Sequence, residues 1–180
     1  MTENTQSTPA KTSTAQGTGA TPAAGSAAKH SAGTSGTRPV VVAGNRIPFS
    51  RAGGAYANAS NQDMLTAAID GLVARTGIAG ERLGAVAAGA VIKHSRDFNL
   101  TRESVLGSAL DPATPAYDVQ MACATGMETV SSISNKIRLG QIEAGIAGGV
   151  DSSSDAPIAV SEGLRRALLK LQLAKTTMQK

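Results

Sequence analysis

The sequence predicts an α/β fold built on a mostly parallel sheet. Two observations carry this. Short runs that are apolar on both faces, at 39–44, 84–92, 117–121 and 144–150, alternate with longer stretches whose apolar residues recur at helical spacing. The connections between them are short, as in one compact domain whose helices cover both faces of the sheet.

The elements follow in order. Residues 1–37 contain no Val, Ile, Leu, Phe, Tyr or Trp, and 27 of the 37 are Ser, Thr, Ala or Gly. Such a segment buries too little apolar surface to offset its conformational entropy, so it reads as a disordered tail. Pro39 to Gly44 is a β-branched run and reads as a buried strand. Asn45 to Ser60 is a loop. Ser60 or Asn61 then caps a helix with Asp63 in its first turn; Met64, Leu65, Ala68, Ile69, Leu72 and Val73 repeat along it, and Gly77 closes it. Gly84 to Ile92 is a second strand. Asn99 to Leu110 is a shorter helix ended by Asp111-Pro112, and Tyr117 to Met121 is a third strand. Ala124 to Leu139 is a second long helix, with Met127, Val130, Ile133 and Ile137 expected inward. Ala144 to Val150 is a fourth strand, and Ser161 to Leu173 an amphipathic helix with Leu164, Leu168, Leu169 and Leu171 on one side.

Charge and composition exclude several functions. The net charge of +4 comes from the C-terminus, where Arg165, Arg166, Lys170, Lys175 and Lys180 stand with no acid among them. That basic stripe fits a solvated helix face, or a surface meeting nucleic acid, an acidic cofactor or a partner subunit. With only Phe49, Tyr56, Phe98 and Tyr117 as aromatics, the chain lacks the stacking platforms of single-stranded nucleic-acid binders, and no nucleic-acid partner is expected. No run approaches the ~18 apolar residues of a membrane span. The single cysteine excludes an intrachain disulfide and fits a reducing compartment. The opening segment has neither the apolar core of a secretory signal nor the arginines of a mitochondrial leader, so a cytoplasmic location is expected.

Cys123 is the most informative residue. It lies where the third strand turns into a helix, the edge at which open α/β sheets place their sites. A helix N-terminus favours thiolate over thiol, and the thiolate is the nucleophile. The small neighbours Ala122, Ala124 and Gly126 leave room for a substrate, and the Cys123 N–H is placed to meet an oxygen gaining charge beside the sulfur. Together these describe a covalent acyl-transfer nucleophile. The competing reading is a buried structural cysteine packing as a small hydrophobe. Of the two histidines, His30 lies in the tail and His94 follows the second strand, where it is either a general base or a structural loop residue. Two histidines and one cysteine make no persuasive zinc site. Gly145, Gly148 and Gly149 lack the pattern of a phosphate loop and read as close packing of a strand beneath Cys123.

Five segments, in order, resemble the N-terminal half of a thiolase. Val40 to Phe49 is similar to the family's first strand and R-x-P-F loop. Asn99-Leu100-Thr101-Arg102 resembles an N-x-x-R helix start at the family's dimer interface. Cys123-Ala124-Thr125-Gly126 resembles the nucleophile motif C-x-S-G, with Thr125 in place of serine. Gly148 to Ser154 resembles G-G-x-E-S-M-S, and the stretch from Asp155 onward looks closest to the fatty-acid-oxidation branch that includes the trifunctional-enzyme β subunit. The resemblance implies an α/β, thiolase-like layered fold, here its βαβαβαβ N-terminal half. The implied organisation is a tail at 1–37, the N-terminal domain core at 38–160, and the start of a loop domain at 161–180. It implies that Cys123 takes an acyl group from a 3-oxoacyl-CoA, with coenzyme A as substrate and no resident cofactor or metal. It also implies a homodimer or tetramer, ordered in part by Asn99 and Arg102, and in some members a hydratase/dehydrogenase subunit as partner. The family's later motifs (N-E-A-F, G-H-P and C-x-G) are not in this sequence, so a truncated and incomplete form is expected. An inactive dimerising fragment and a ketoacyl-synthase-type condensing enzyme are the alternatives.

Overall fold

A computed structural model describes residues 38–173. The Ser/Thr/Ala/Gly-rich segment 1–37, with His30, lies outside the described residues, as do Lys175 and Lys180. Within them run α1 (Asn61–Thr76), β1 (Ala85–Ala88), a short 3-10 turn (Ser95–Asp97), α2 (Leu100–Leu106), β2 (Ala116–Asp118), α3 (Thr125–Arg138), β3 (Gly145–Ala147) and α4 (Glu162–Leu173). The three strands form one sheet in the order β2-β1-β3, with both pairings parallel.

The sequence dictates α1 at both ends. Ser60 accepts the Asp63 N–H on its hydroxyl at 3.1 Å, and Asp63 accepts the Ser60 N–H at 2.9 Å. This reciprocal cap satisfies two of the helix's orphan donors. The Ser60 hydroxyl also donates to the Asp63 carboxylate at 2.7 Å, and this bond, with that from the Ser60 N–H, holds the Asp63 carboxyl below the ordinary carboxylate range. Gly77 stops the helix at φ 71°, a left-handed conformation that costs glycine nothing.

β1 is central, and its period-two alternation divides the core. Val86, Ala88 and Ala90 pack with Leu65, Ile69 and Val73 of α1 and with Leu100 and Val105 of α2. Ala85 and Ala87 pack on the other side with Ile133 of α3, alongside Ile137 and Tyr117. The result is a three-layer α/β/α arrangement, with the site edge at the C-terminal ends of the strands.

Two expectations are corrected. The run Pro39–Gly44 forms no strand: Val40, Val41 and Val42 are 72%, 87% and 87% exposed. A strand needs a neighbour to satisfy its backbone, and among the described residues no strand pairs with this run. The segment is instead tied to α1, where Asn45 donates to the Ala68 carbonyl at 2.8 Å and Arg75 donates to the Gly44 carbonyl at 2.9 Å.

The second correction concerns α3. Thr125, Thr129 and Ile133 are its buried residues, whereas Met127 and Val130 are exposed. The polar tie of Thr129 fixes the rotation of the helix: its hydroxyl reaches the carbonyls of Gly126 at 2.8 Å and Gly148 at 3.0 Å. The helix expected at 161–173 forms as α4; its leucines are exposed and it has no buried residue. Glu162 accepts Arg165 and Arg166 at 2.7–2.8 Å, so part of the basic stripe is paired within its own helix. Among the described residues no helix is long and apolar enough to cross a membrane, and no cluster of metal-ligating side chains occurs.

Candidate active site

Cys123 stands in the turn between β2 and α3 and is exposed. This exposure does not fit the reading of a buried structural cysteine. The turn is tightly built. Ala124 N–H donates to the Met121 carbonyl at 2.9 Å and Thr125 N–H to the Ala122 carbonyl at 3.1 Å. Ala122 sits at φ 44°, among the described residues the one non-glycine in the left-handed region. Such a conformation costs on the order of 1–3 kcal/mol and persists only where surrounding contacts over-determine it. Here the Thr125 hydroxyl does so, accepting Met121 N–H and donating to the Ala122 carbonyl, both at 2.8 Å.

The floor beneath the turn is β1. Val119 N–H donates to the Ala88 carbonyl at 2.8 Å, and Val150 N–H to the Gly89 carbonyl at 3.0 Å. Gly89 thus lies between the cysteine-bearing segment and the end of β3. Close packing also explains Gly145, where a β-carbon would meet the Ala85 carbonyl at 2.7 Å, but not Gly148, which has open space around it.

The loop after β1 is braced on both sides. Asp118 accepts the Leu100 and Thr101 N–H groups at 3.2 and 2.7 Å, capping α2, and pairs with Lys93 at 3.3 Å. On the other side Asp151 accepts Val91 and Ile92 N–H at 2.8–3.1 Å. His94 belongs to this bracing. Its Nε2 lies 2.9 Å from the Asp155 carbonyl oxygen and 3.3 Å from the Asp155 carboxylate, and no hydrogen bond joins it to Cys123 among the described residues. Arg96 also pairs with Asp155, and that bond is the main reason the Asp155 carboxyl lies below the ordinary carboxylate range; the charges of Arg96 and His94 add to it.

A pH dependence follows from Asp155. A carboxyl whose folded pKa is depressed stabilises the fold above its unfolded pKa, and that contribution is lost as pH falls through the folded value. The melting temperature of Asp155→Asn should therefore fall less than the parent's between about pH 6 and about pH 3. The difference will be small, because the pair is solvent-accessible. An identical pH profile for the two proteins would contradict the assignment.

Of the remaining motif residues, Arg102 donates to the carbonyls of Thr114 and Pro112 at 2.9 and 2.8 Å, tying α2 to the turn before β2. Asn99 precedes α2 without a side-chain cap bond. Arg46 stacks over Phe49 at 4.0 Å. These two line a groove of about 390 Å³ with Arg51, Met64 and Ser152, and Cys123 is not among its walls. Sequence reasoning missed Gly89, Asp118 and Asp155, whose roles arise from contacts distant in the chain. It noted Thr125 only as a departure from a motif.

An exposed cysteine on a strained strand-to-helix turn stands at the C-terminal edge of a parallel sheet, the place where open α/β folds put their sites. The comparisons with known proteins are specific. The family described as "Thiolase, N-terminal domain" matches residues 39–180, and the chain belongs to the thiolase family, as its N-terminal half. It is 37% identical over 145 residues to a 3-ketoacyl-CoA thiolase of Photorhabdus laumondii, covering 81% of this chain and 33% of the relative. To a 3-ketoacyl-CoA thiolase of Salmonella paratyphi C it is 38% identical over the same shares. Its fold is similar to the crystal structure of the Bacillus anthracis acetyl-CoA acetyltransferase, with a TM-score of 0.67 and 26% identity, covering 72% of this chain and 33% of that one. The chain thus spans about a third of the length of the relatives it matches.

Proposed function

We propose that this chain supplies the acyl-accepting cysteine of a 3-ketoacyl-CoA thiolase. The Cys123 thiolate attacks the 3-oxo carbon of a 3-oxoacyl-CoA. The bond between C2 and C3 breaks, its electron pair goes to C2, and protonation there releases acetyl-CoA. The acyl group is left as a thioester on Cys123, and the thiolate of a second coenzyme A then carries it away. The reverse sequence is a Claisen condensation. Coenzyme A acts as substrate, and no resident cofactor is called for.

The observation that supports this most is the exposed Cys123 in the turn just before α3, with the Thr125 hydroxyl bonded to the two residues that precede it. The names of the matched relatives favour thiolysis over ketoacyl-synthase chemistry. Assembly as a homodimer or tetramer, a cytoplasmic setting and a hydratase/dehydrogenase partner are parts of the same reading. The test is intact-mass analysis after incubation with acetoacetyl-CoA. The expected result is one acetyl adduct mapped to Cys123 and absent from Cys123→Ala. An adduct elsewhere, or an equal one in the variant, would overturn the proposal.

A further inference from the structure

We propose that Thr125 is the positioning residue of the nucleophile, its hydroxyl fixing the turn that presents Cys123; this rests on the reading of Cys123 as the acyl acceptor. The hydroxyl both accepts and donates. It accepts the Met121 N–H and donates to the Ala122 carbonyl, each at 2.8 Å, so it joins the residues two before and one before the cysteine. Those bonds close the turn across Cys123 and hold Ala122 in its left-handed conformation. No other side chain donates to or accepts from the backbone of residues 120–124 among the described residues.

Thr125 is itself fixed. It is 5% exposed, and its γ-methyl lies 3.0 Å from where a β-carbon on Gly89 would stand, so the methyl packs into the space that glycine leaves. The hydroxyl and the methyl therefore have separable tasks. The hydroxyl sets the backbone of the turn, and the methyl seats the turn on β1. Serine, which the nucleophile motif usually carries here, would keep the first task and lose part of the second.

The orientation of Cys123 matters to the chemistry because its sulfur and its own N–H must address the same carbonyl group. Without the hydroxyl, Met121 N–H loses its partner, the Ala122 carbonyl keeps only the Thr125 N–H, and the constraint on Ala122 is weakened. The sulfur and the N–H then turn away from a common target.

The experiment compares Thr125→Val, which keeps the shape and removes the hydroxyl, with Thr125→Ser, which keeps the hydroxyl. Two rates are read at Cys123 by mass spectrometry: acetylation by acetoacetyl-CoA, and alkylation by iodoacetamide across a pH series. The expected result is about a tenfold or greater loss of acetylation in Thr125→Val, with Thr125→Ser within a few-fold of the parent. The alkylation profile against pH should move in Thr125→Val and be restored in Thr125→Ser. Equal acetylation and unchanged profiles in both variants would overturn the proposal. If the parent is never acetylated, the nucleophile reading fails alone, and the alkylation profiles still decide the role of Thr125. If Thr125→Val does not fold, amide exchange in the parent decides: Met121 N–H must be protected, and free exchange there would overturn the clamp.

Discussion

Gly89→Ala will destabilise the domain by about 3 kcal/mol or more and loosen the segment that carries Cys123. A β-carbon at this position would stand 1.8 Å from the Val119 carbonyl oxygen and 3.0 Å from the Thr125 methyl. No side chain can yield there, because the obstacle is backbone. Val119 cannot retreat without losing its bond to the Ala88 carbonyl, the last rung joining β1 to the segment after β2. On the other side the Gly89 carbonyl holds Val150. The strain therefore falls on the whole C-terminal edge of the sheet. For a domain whose total stability is roughly 5–15 kcal/mol, the loss lowers the melting temperature by on the order of ten degrees. Gly148→Ala is the control, since nothing lies within 4 Å of a β-carbon there. Thermal melting followed by circular dichroism checks both, and equal melting temperatures would contradict the close approach at Gly89.

The second large effect is on catalysis. With a 3-oxoacyl-CoA and free coenzyme A, this chain should acylate Cys123 slowly and show no measurable steady-state thiolysis. A cysteine thiolate accepts an acyl group without a dedicated base. Protonating the departing carbanion and deprotonating the incoming thiol each need a positioned group, worth about 10²–10⁴ in rate. Among the described residues the one histidine, His94, is engaged with Asp155 and has no bond to Cys123. Product release assayed beside a full-length 3-ketoacyl-CoA thiolase checks this. Steady turnover that Cys123→Ala abolishes and His94→Ala reduces would contradict it and make His94 the base.

The alternation of strands and helices was legible because β1 is buried on both faces and α1 carries complete start and stop signals. The Val40–Val42 run shows the limit of that reasoning. β-branched residues state a preference for extended backbone, but a strand also needs a neighbour with free hydrogen-bonding groups, which local sequence does not record. The facing of α3 was misread for a related reason. Met127 and Val130 are the more apolar residues, yet Thr129 turns the helix by bonding to Gly148, a carbonyl 19 residues away. The placement of Cys123 between β2 and α3 was legible because a strand-to-helix junction is local. The clamp by Thr125 is also local, but a threonine in a motif shows no sign of its two bonds until the turn is built. Gly89 and Asp118 act across long chain separations and left no local mark.

The most direct measurement is the reaction of iodoacetamide with the folded chain at near-neutral pH, mapped by peptide mass spectrometry. An exposed nucleophile presented at a helix start should be alkylated at Cys123 in the native state, faster than a model thiol, and acyl-CoA should slow the reaction. Modification only after denaturation would contradict the account, because Cys123 would then be a packed structural residue and not the acyl acceptor.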